Sequence, residues 1–468
     1  MFVFLGPGIV IASVTIGSGE LVLASRSGAV FGNQLLWCFV LAGAFKCVQV
    51  YGAARHITLT GEHPLTYWSN FPGPPLWFPL LIALPTLAVM PIAFSAISET
   101  LAGYIHELAG PLAGQQVGPY QHIEFRENFW GTLILSLCLC LAIASSLKIL
   151  ERVSAFVLGI LLTCVIVSVA FCDPDWWEIC RGIVWPRVPE YDAWILKEYA
   201  DTFERRSPWL EIALYLTAVG GGTFDYVGYV GMLREKKWGL AGRTTASREE
   251  LNALVNSNDQ AAKEQLQRAR QWTRAPLLDA TSSFGIVILV TLLFAILGAE
   301  ILNEQHSVPD NSQLLSQQET FLTILHPQLK WIYRGGVFLA FIGTLYGAFE
   351  VYKYTFIESI RAFSPRFASK KNDRRNGQLM FGYCYIGGLT MIWLPQSLAG
   401  NVVDRMTFGA VIGGATLCGL WCFAMLWTDA KRLPKPLRMG PALWWSTLIA
   451  GVVMTGLGSQ TLLVYFSD

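Results

Sequence analysis

Stretches of about 20 apolar residues, the length a helix needs to cross a bilayer, alternate with short polar segments along the whole chain. They fall at 2–24, 34–54, 77–104, 129–147, 152–171, 209–233, 278–302, 332–360, 378–398, 405–428 and 443–466. This pattern predicts an all-α polytopic membrane protein with about 11 transmembrane helices.

Two of the stretches make poor continuous helices. The first, FVFLGPGIVIASVTIGSGELVL, carries Gly17-Ser18-Gly19 and then the acid Glu20. The sixth, LEIALYLTAVGGGTFDYVGYVGML, carries Gly220-Gly221-Gly222-Thr223 and then Asp225. A glycine inside a helix costs about 1 kcal/mol relative to alanine, and an acid in mid-membrane costs roughly 2.5 kcal/mol or more. Such segments suit breaks that line a cavity, where unwound carbonyls and amides face a solute rather than lipid. Gly17, Ser18, Gly19, Glu20, Gly220, Gly221, Gly222, Thr223 and Asp225 are therefore the candidate substrate-binding set. A simpler reading is that Gly17 and Gly19 only let a neighbouring helix approach closely, with Glu20 near an interface. The spacing of the two breaks fits two halves of inverted topology, about 1–171 and 209–428, within one transporter domain 1–428, and an extra helix at 443–466.

Charge sets the orientation. With a cytoplasmic N-terminus, the loops assigned inside carry roughly 22 of the 34 Lys and Arg, as the positive-inside rule requires, and the C-terminus falls outside. The inside loops are 234–276, which reads as a polar surface helix, then 361–376 and TDAKRLPKPLRM. The stretch 172–208, rich in tryptophan, suits an interfacial belt with a short amphipathic segment on the outer surface. No cleavable signal peptide is expected, because the first apolar run is too long and no basic region precedes it.

Composition agrees: of 468 residues, 53% are hydrophobic and 14% charged, with a mean hydropathy of +0.43, so the partner is a lipid bilayer. The net charge of +1 points to no nucleic acid. The ten cysteines lie mostly inside apolar spans, which argues against a disulfide scaffold or zinc site. Cys172 and Cys180 flank an exported loop, where free thiols are the default and pairing stays open.

Other intramembrane charges have two readings each. Glu99 is a candidate proton-coupling acid or a hydrogen-bonded structural one. Glu350, a second coupling candidate, lies three residues from Lys353 and reads first as half of a self-compensating pair. Lys46 is expected to snorkel or to meet an acid on another helix. Arg26 and Arg405 read as anchors near span ends, and His56, His63 and His106 as surface residues at loops or ends.

The first 65 or so residues resemble the Nramp divalent-metal transporters. The resemblance rests on Gly6-Pro7-Gly8, Gly28-Ala29-x-Phe31-Gly32, Leu35-Leu36-Trp37, Ala53-Ala54-Arg55 and Thr60-Gly61. Further on, Leu147-Lys148-Ile149-Leu150-Glu151 is similar to that family's link between helices four and five. The resemblance implies a LeuT-like 5+5 inverted repeat plus one extra helix, and proton-linked uptake of divalent metal. The metal-binding positions depart from the family. Its Asp-Pro-Gly-Asn falls on Gly17-Ser18-Gly19-Glu20, its Met-Pro-His on or near Gly220-Gly221-Gly222, and its Asp-x-x-Glu on Ala96-x-x-Glu99.

Without a thioether, Glu20 and Asp225 with carbonyls freed by the glycines would make a hard, hydrated metal site for Mg2+ or Mn2+. The alternative is an ion-coupled carrier of an amino acid or other small organic solute, gripped by the amides of the glycine-rich breaks. No resident cofactor is expected beyond a transported divalent cation and a coupling H+ or Na+. No hydrolase elbow, phosphate loop, Cys-x-x-Cys pair or zinc spacing points to an enzyme. Two dissimilar breaks in one chain suit alternating access better than a channel filter built by oligomer symmetry, and a chain of this kind can work as a monomer. The expected location is a bacterial inner (plasma) membrane.

Overall fold

A computed structural model describes residues 7–109, 121–144, 165–204, 206–309, 315–364 and 370–467, with scattered residues between 156 and 163. The link 147–151 and residues 152–155, 157, 158, 161 and 164 of the predicted span 152–171 lie outside the described residues. Those described form helices joined by short turns, and no strand occurs among them.

The chain opens on α1 (Gly8–Thr15), passes into a π-helical stretch (Ile16–Ala24) and returns to α-helix in α2 (Ser25–Phe31). A 3-10 turn (Gly32–Leu35) leads into α3 (Leu36–Thr60). Gly61 ends α3 with a left-handed φ of 71° and returns its N–H to the Ile57 carbonyl. A Cβ there would lie 2.2 Å from the Thr244 carbonyl, so glycine is required twice over. Then come α4 (Trp77–Ala109), α5 (Gln121–Ala144) and the amphipathic α6 (Trp176–Val184). Asp175 caps α6 by accepting from the Trp177 and Glu178 amides. Trp177 and Trp185 are 78% and 68% exposed, as an interfacial belt needs.

The sixth predicted span is two helices, α7 (Pro208–Ala218) and α8 (Thr223–Lys236). The polar loop folds as α9 (Arg248–Asn256), with a Ser247/Glu250 capping box, and α10 (Gln260–Trp272). It is no free spacer, because Leu251 joins Leu59, Leu433 and Leu437 in a small second core beneath it. The remaining long helices are α11 (Arg274–Leu297), α12 (Lys330–Phe363) and α13 (Lys370–Trp393). After them come α14 (Val402–Gly413), α15 (Thr416–Arg432) and α16 (Pro441–Ser467). The tenth predicted span, 405–428, is thus also interrupted, at Gly414 and Ala415.

Among the described residues, six helical stretches are long and apolar enough to cross a membrane by length and composition. Phe129, Leu133, Leu137 and Leu141 on α5 form a stripe at every fourth position and are 37–53% exposed, which marks a lipid-facing side. One large apolar core fills the bundle. Close helix pairs need glycine: Gly28 faces the Ala295 carbonyl and Gly298 the Ser25 carbonyl, where a Cβ would come within 2.0 and 2.2 Å.

Candidate functional site at the break of helix six

Between α7 and α8 the backbone leaves the helix. Gly220 and Gly221 take φ of 72° and 76°, the left-handed region that favours glycine. At Gly220 a Cβ would also strike the Phe284 ring at 2.4 Å. The second half restarts with Gly222 as N-cap, its N–H donating to Asp225 Oδ2 at 2.8 Å. This is the break that the GGG run predicts, and Asp225 is the side chain that caps it.

A broken helix leaves carbonyls without amide partners. The Tyr226 hydroxyl donates to the Gly220 carbonyl at 2.9 Å and to that of Gly221 at 3.3 Å. Lys46 supplies the rest: its Nζ donates to the carbonyls of Leu216 (2.7 Å), Val219 (2.9 Å) and Gly221 (2.7 Å). Lys46 is 0% exposed, so it does not snorkel; backbone carbonyls receive its ammonium, and the Asp225 carboxylate of α8 is the acid within electrostatic reach of it. Of the carbonyls proposed for a solute, that of Gly221 is thus held by an ammonium from α3.

A second interruption packs against the first. Thr223 Oγ1 donates to the Gly413 carbonyl at 3.3 Å and lies 3.3 Å from Cys418 Sγ. A Cβ on Gly413 would sit 2.6 Å from the Phe224 ring. The Gly413-Gly414 pair was the available sequence signal for this break.

The first predicted break is different. Helix one stays helical through Gly17-Ser18-Gly19-Glu20, but with the wider π winding, so these residues are not unwound. Gly17 serves close approach: a Cβ there would fall 2.1 Å from Thr344 Oγ1 and 3.2 Å from the Ala340 carbonyl of α12. The side chains of Ser18, Gly19 and Glu20 lie outside the described residues. The π stretch packs against α7, α11 and α12, which brings helix one beside the first half of helix six. π turns inside α-helices occur often at functional sites, because they displace backbone groups from the regular ladder.

Asp225 is 2% exposed, and its Oδ1 is a buried oxygen with no hydrogen-bond donor. Gln49, one turn beyond Lys46 on α3, is buried as well and turns its side chain toward Cys418. Among the described residues no group of three His, Cys, Asp or Glu could hold a metal. A metal site here would need Glu20 beside Asp225.

The other intramembrane charges are paired. Arg405 grips Glu99 with both guanidinium arms, Nη1 to Oε1 at 2.8 Å, and also donates to Ser95 Oγ at 2.9 Å. Arg405 is 5% exposed, so it is a buried partner and no anchor. Glu350 is bonded to Lys353, the self-compensating pair expected from their spacing. Arg26, also read as an anchor, is 0% exposed; it donates to the Pro309 carbonyl at 2.7 Å and lies 3.6 Å from Glu211. His56 and His63 are buried, contrary to surface placement, while His106 is half-buried. Cys172 and Cys180 are free thiols.

Two acids that sequence reasoning passed over tie the ends of the site. Asp279 on α11 accepts from the Gly8 amide and from the Tyr229 hydroxyl, each at 2.9 Å, joining the start of helix one to α8. Glu211 on α7 meets Arg206 and the Tyr215 hydroxyl, each at 2.5 Å, besides Arg26. Arg206 in turn donates to Thr407 on α14 at 2.7 Å. Each acid lies near the end of a predicted span, where it passes for an interfacial residue.

The natural resistance-associated macrophage protein-like (Nramp) family model matches residues 8–199. No curated protein matches the chain. Among solved structures, the chain is similar to the Eremococcus coleocola manganese transporter in complex with an aromatic bis-isothiourea substituted compound. That likeness has a TM-score of 0.63 at 14% identity and covers 99% of this chain and 88% of the other. It is also similar to MHP1, a nucleobase-cation-symport-1 family transporter in a closed conformation with bromovinylhydantoin bound. Here the TM-score is 0.53 at 13% identity, covering 98% of this chain and 92% of the other. These likenesses show the LeuT-like fold, and with the apolar helices they make the chain an integral membrane protein. The family match is thus confined to residues 8–199, while the LeuT-like fold extends over the rest of the chain.

Proposed function

We propose that the chain is a secondary transporter that moves a metal cation across the membrane by alternating access. The observation that carries this reading is Asp225: a carboxylate buried at a helix break, with one oxygen spent on the Gly222 amide and the other without a donor. A buried anion with an unpaired oxygen is costly unless a cation or donor meets it, and the break beside helix one is where transporters of this fold hold their cargo. With no thioether among the matched positions, the oxygen donors favour a hard, partly hydrated ion, Mg2+ or Mn2+. Asp225 and Glu20 would hold it, with Thr223 beside them. Glu99 and Glu350, each paired with a basic residue, are the candidates for coupling to H+. In a bacterial inner membrane with a cytoplasmic N-terminus, α9 and α10 face the cytosol.

The test is saturable uptake of Mn2+ and Mg2+ into proteoliposomes, with a pH-sensitive dye inside. Glu20→Ala is expected to abolish metal uptake; unchanged uptake would remove Glu20 from the site. A second reading is an ion-coupled carrier of an amino acid or other small organic solute. The observation favouring it is Lys46, whose charge opposes a divalent ion at the carbonyls it holds. Thermal stabilisation by amino acids but not by Mn2+ or Mg2+ would select it.

A further inference from the structure

Lys46 lies at mid-length of α3 and reaches a place where a broken helix turns three carbonyls inward. Carbonyl oxygens converging on one point are how proteins bind a dehydrated cation. Here the point is filled by an ammonium covalently tied to the neighbouring helix. The contact lengths, 2.7, 2.9 and 2.7 Å, give the size of the ion that fits. They exceed the roughly 2.0–2.1 Å of Mg2+ and 2.3–2.6 Å of Ca2+ to oxygen, so the place suits a large monovalent cation of ammonium dimensions. The Asp225 carboxylate lies within electrostatic reach of the same ammonium and supplies the opposite charge.

We infer that Lys46 is a built-in cation, occupying a carbonyl site that would otherwise take a potassium- or ammonium-sized ion. The wild-type protein then needs no free cation at this point, and removing the side chain's charge uncovers a monovalent-cation site. Only the consequence for transport, a cycle independent of a coupling ion at this place, rests on the transporter reading above. The site itself rests on the geometry of the break.

The test is thermal unfolding of the purified full-length chain, wild type and Lys46→Met, in choline, sodium, potassium, ammonium or magnesium chloride at equal ionic strength. Wild type is expected to melt at one temperature in choline, sodium, potassium and ammonium, magnesium acting only through the metal site proposed above. Lys46→Met is expected to melt lower in choline and to recover, saturably, with potassium or ammonium, while magnesium shifts it no more than it shifts wild type, as a ligand that binds only the folded state requires. Lys46→Gln, which keeps an amide donor but no charge, is expected to respond in the same direction. It decides the matter if Lys46→Met cannot be purified. A variant destabilised equally in every salt would make Lys46 a structural cap and overturn the inference. So would a wild type stabilised by potassium as much as the variant. Because the readout is binding and not flux, a chain that moves no metal in vesicles would leave this result standing.

Discussion

Glu211→Gln tests how much the chain relies on charge buried at the α2 end of the site. The carboxylate is 0% exposed and sits between Arg26 at 3.6 Å and Arg206 at 2.5 Å, with the Tyr215 hydroxyl at 2.5 Å. The glutamine keeps the shape and loses the charge that faces Arg26, also 0% exposed, and Arg206. At an effective dielectric of about 20, the Arg26 pair at 3.6 Å is worth about 4–5 kcal/mol. Removing one partner of a buried pair typically costs about 3–5 kcal/mol, so the two estimates agree. The network joins α2, α7 and α14, so weakening it should also loosen this end. The assay is unfolding in mixed micelles, together with maleimide labelling of Cys38 in a background without other cysteines. Cys38 is buried under α7, its thiol directed at the Ile212 carbonyl. Glu211→Gln is expected to lose stability by about 3–5 kcal/mol and to label faster, while Arg26→Met with Glu211→Leu should regain most of the loss. Wild-type stability together with an unreactive Cys38 would refute the reasoning.

Two further outcomes follow from single contacts. His63, in the loop after α3, accepts the Leu65 amide on Nδ1 and faces the Val227 carbonyl through Nε2. Burial, chiefly, lowers its pKa to about 4, with Arg234 and Arg361 adding to the effect and Glu358 opposing it. The unfolded chain, near 6.5, therefore binds the proton first, so this stability is complete above about pH 6.5 and is lost as pH falls through about 4. It amounts to about 3 kcal/mol, and His63→Gln should flatten melting temperature against pH over that window. Gly17→Ala places a Cβ 2.1 Å from Thr344 Oγ1 and should cost about 1–3 kcal/mol by overpacking. Thr344→Gly in the same chain should restore most of it, and no recovery on melting would show that Gly17 does more than admit α12.

What the sequence revealed followed the type of signal. Three glycines in succession at 220–222 cannot be absorbed by a helix at low cost, so that break was legible. Gly17 and Gly19 were ambiguous, because a glycine that admits a neighbour and one that frees the backbone look alike; the difference lies in Thr344, more than 300 residues away. The partners of Lys46 were invisible for another reason: they are backbone carbonyls, and every residue has one. Glu211 and Asp279 sit at span ends, where an acid reads as interfacial until Arg26 and Gly8 are brought against them. Glu350 and Lys353 were read correctly because helical spacing alone puts them together.

The most direct measurement is anomalous X-ray scattering from crystals soaked in Mn2+. The account predicts a manganese peak at mid-depth between Gly17 to Glu20 of the π stretch and Gly220 to Asp225 of the helix-six break, absent in Asp225→Asn. Manganese only at the protein surface, with that region unchanged, would contradict it.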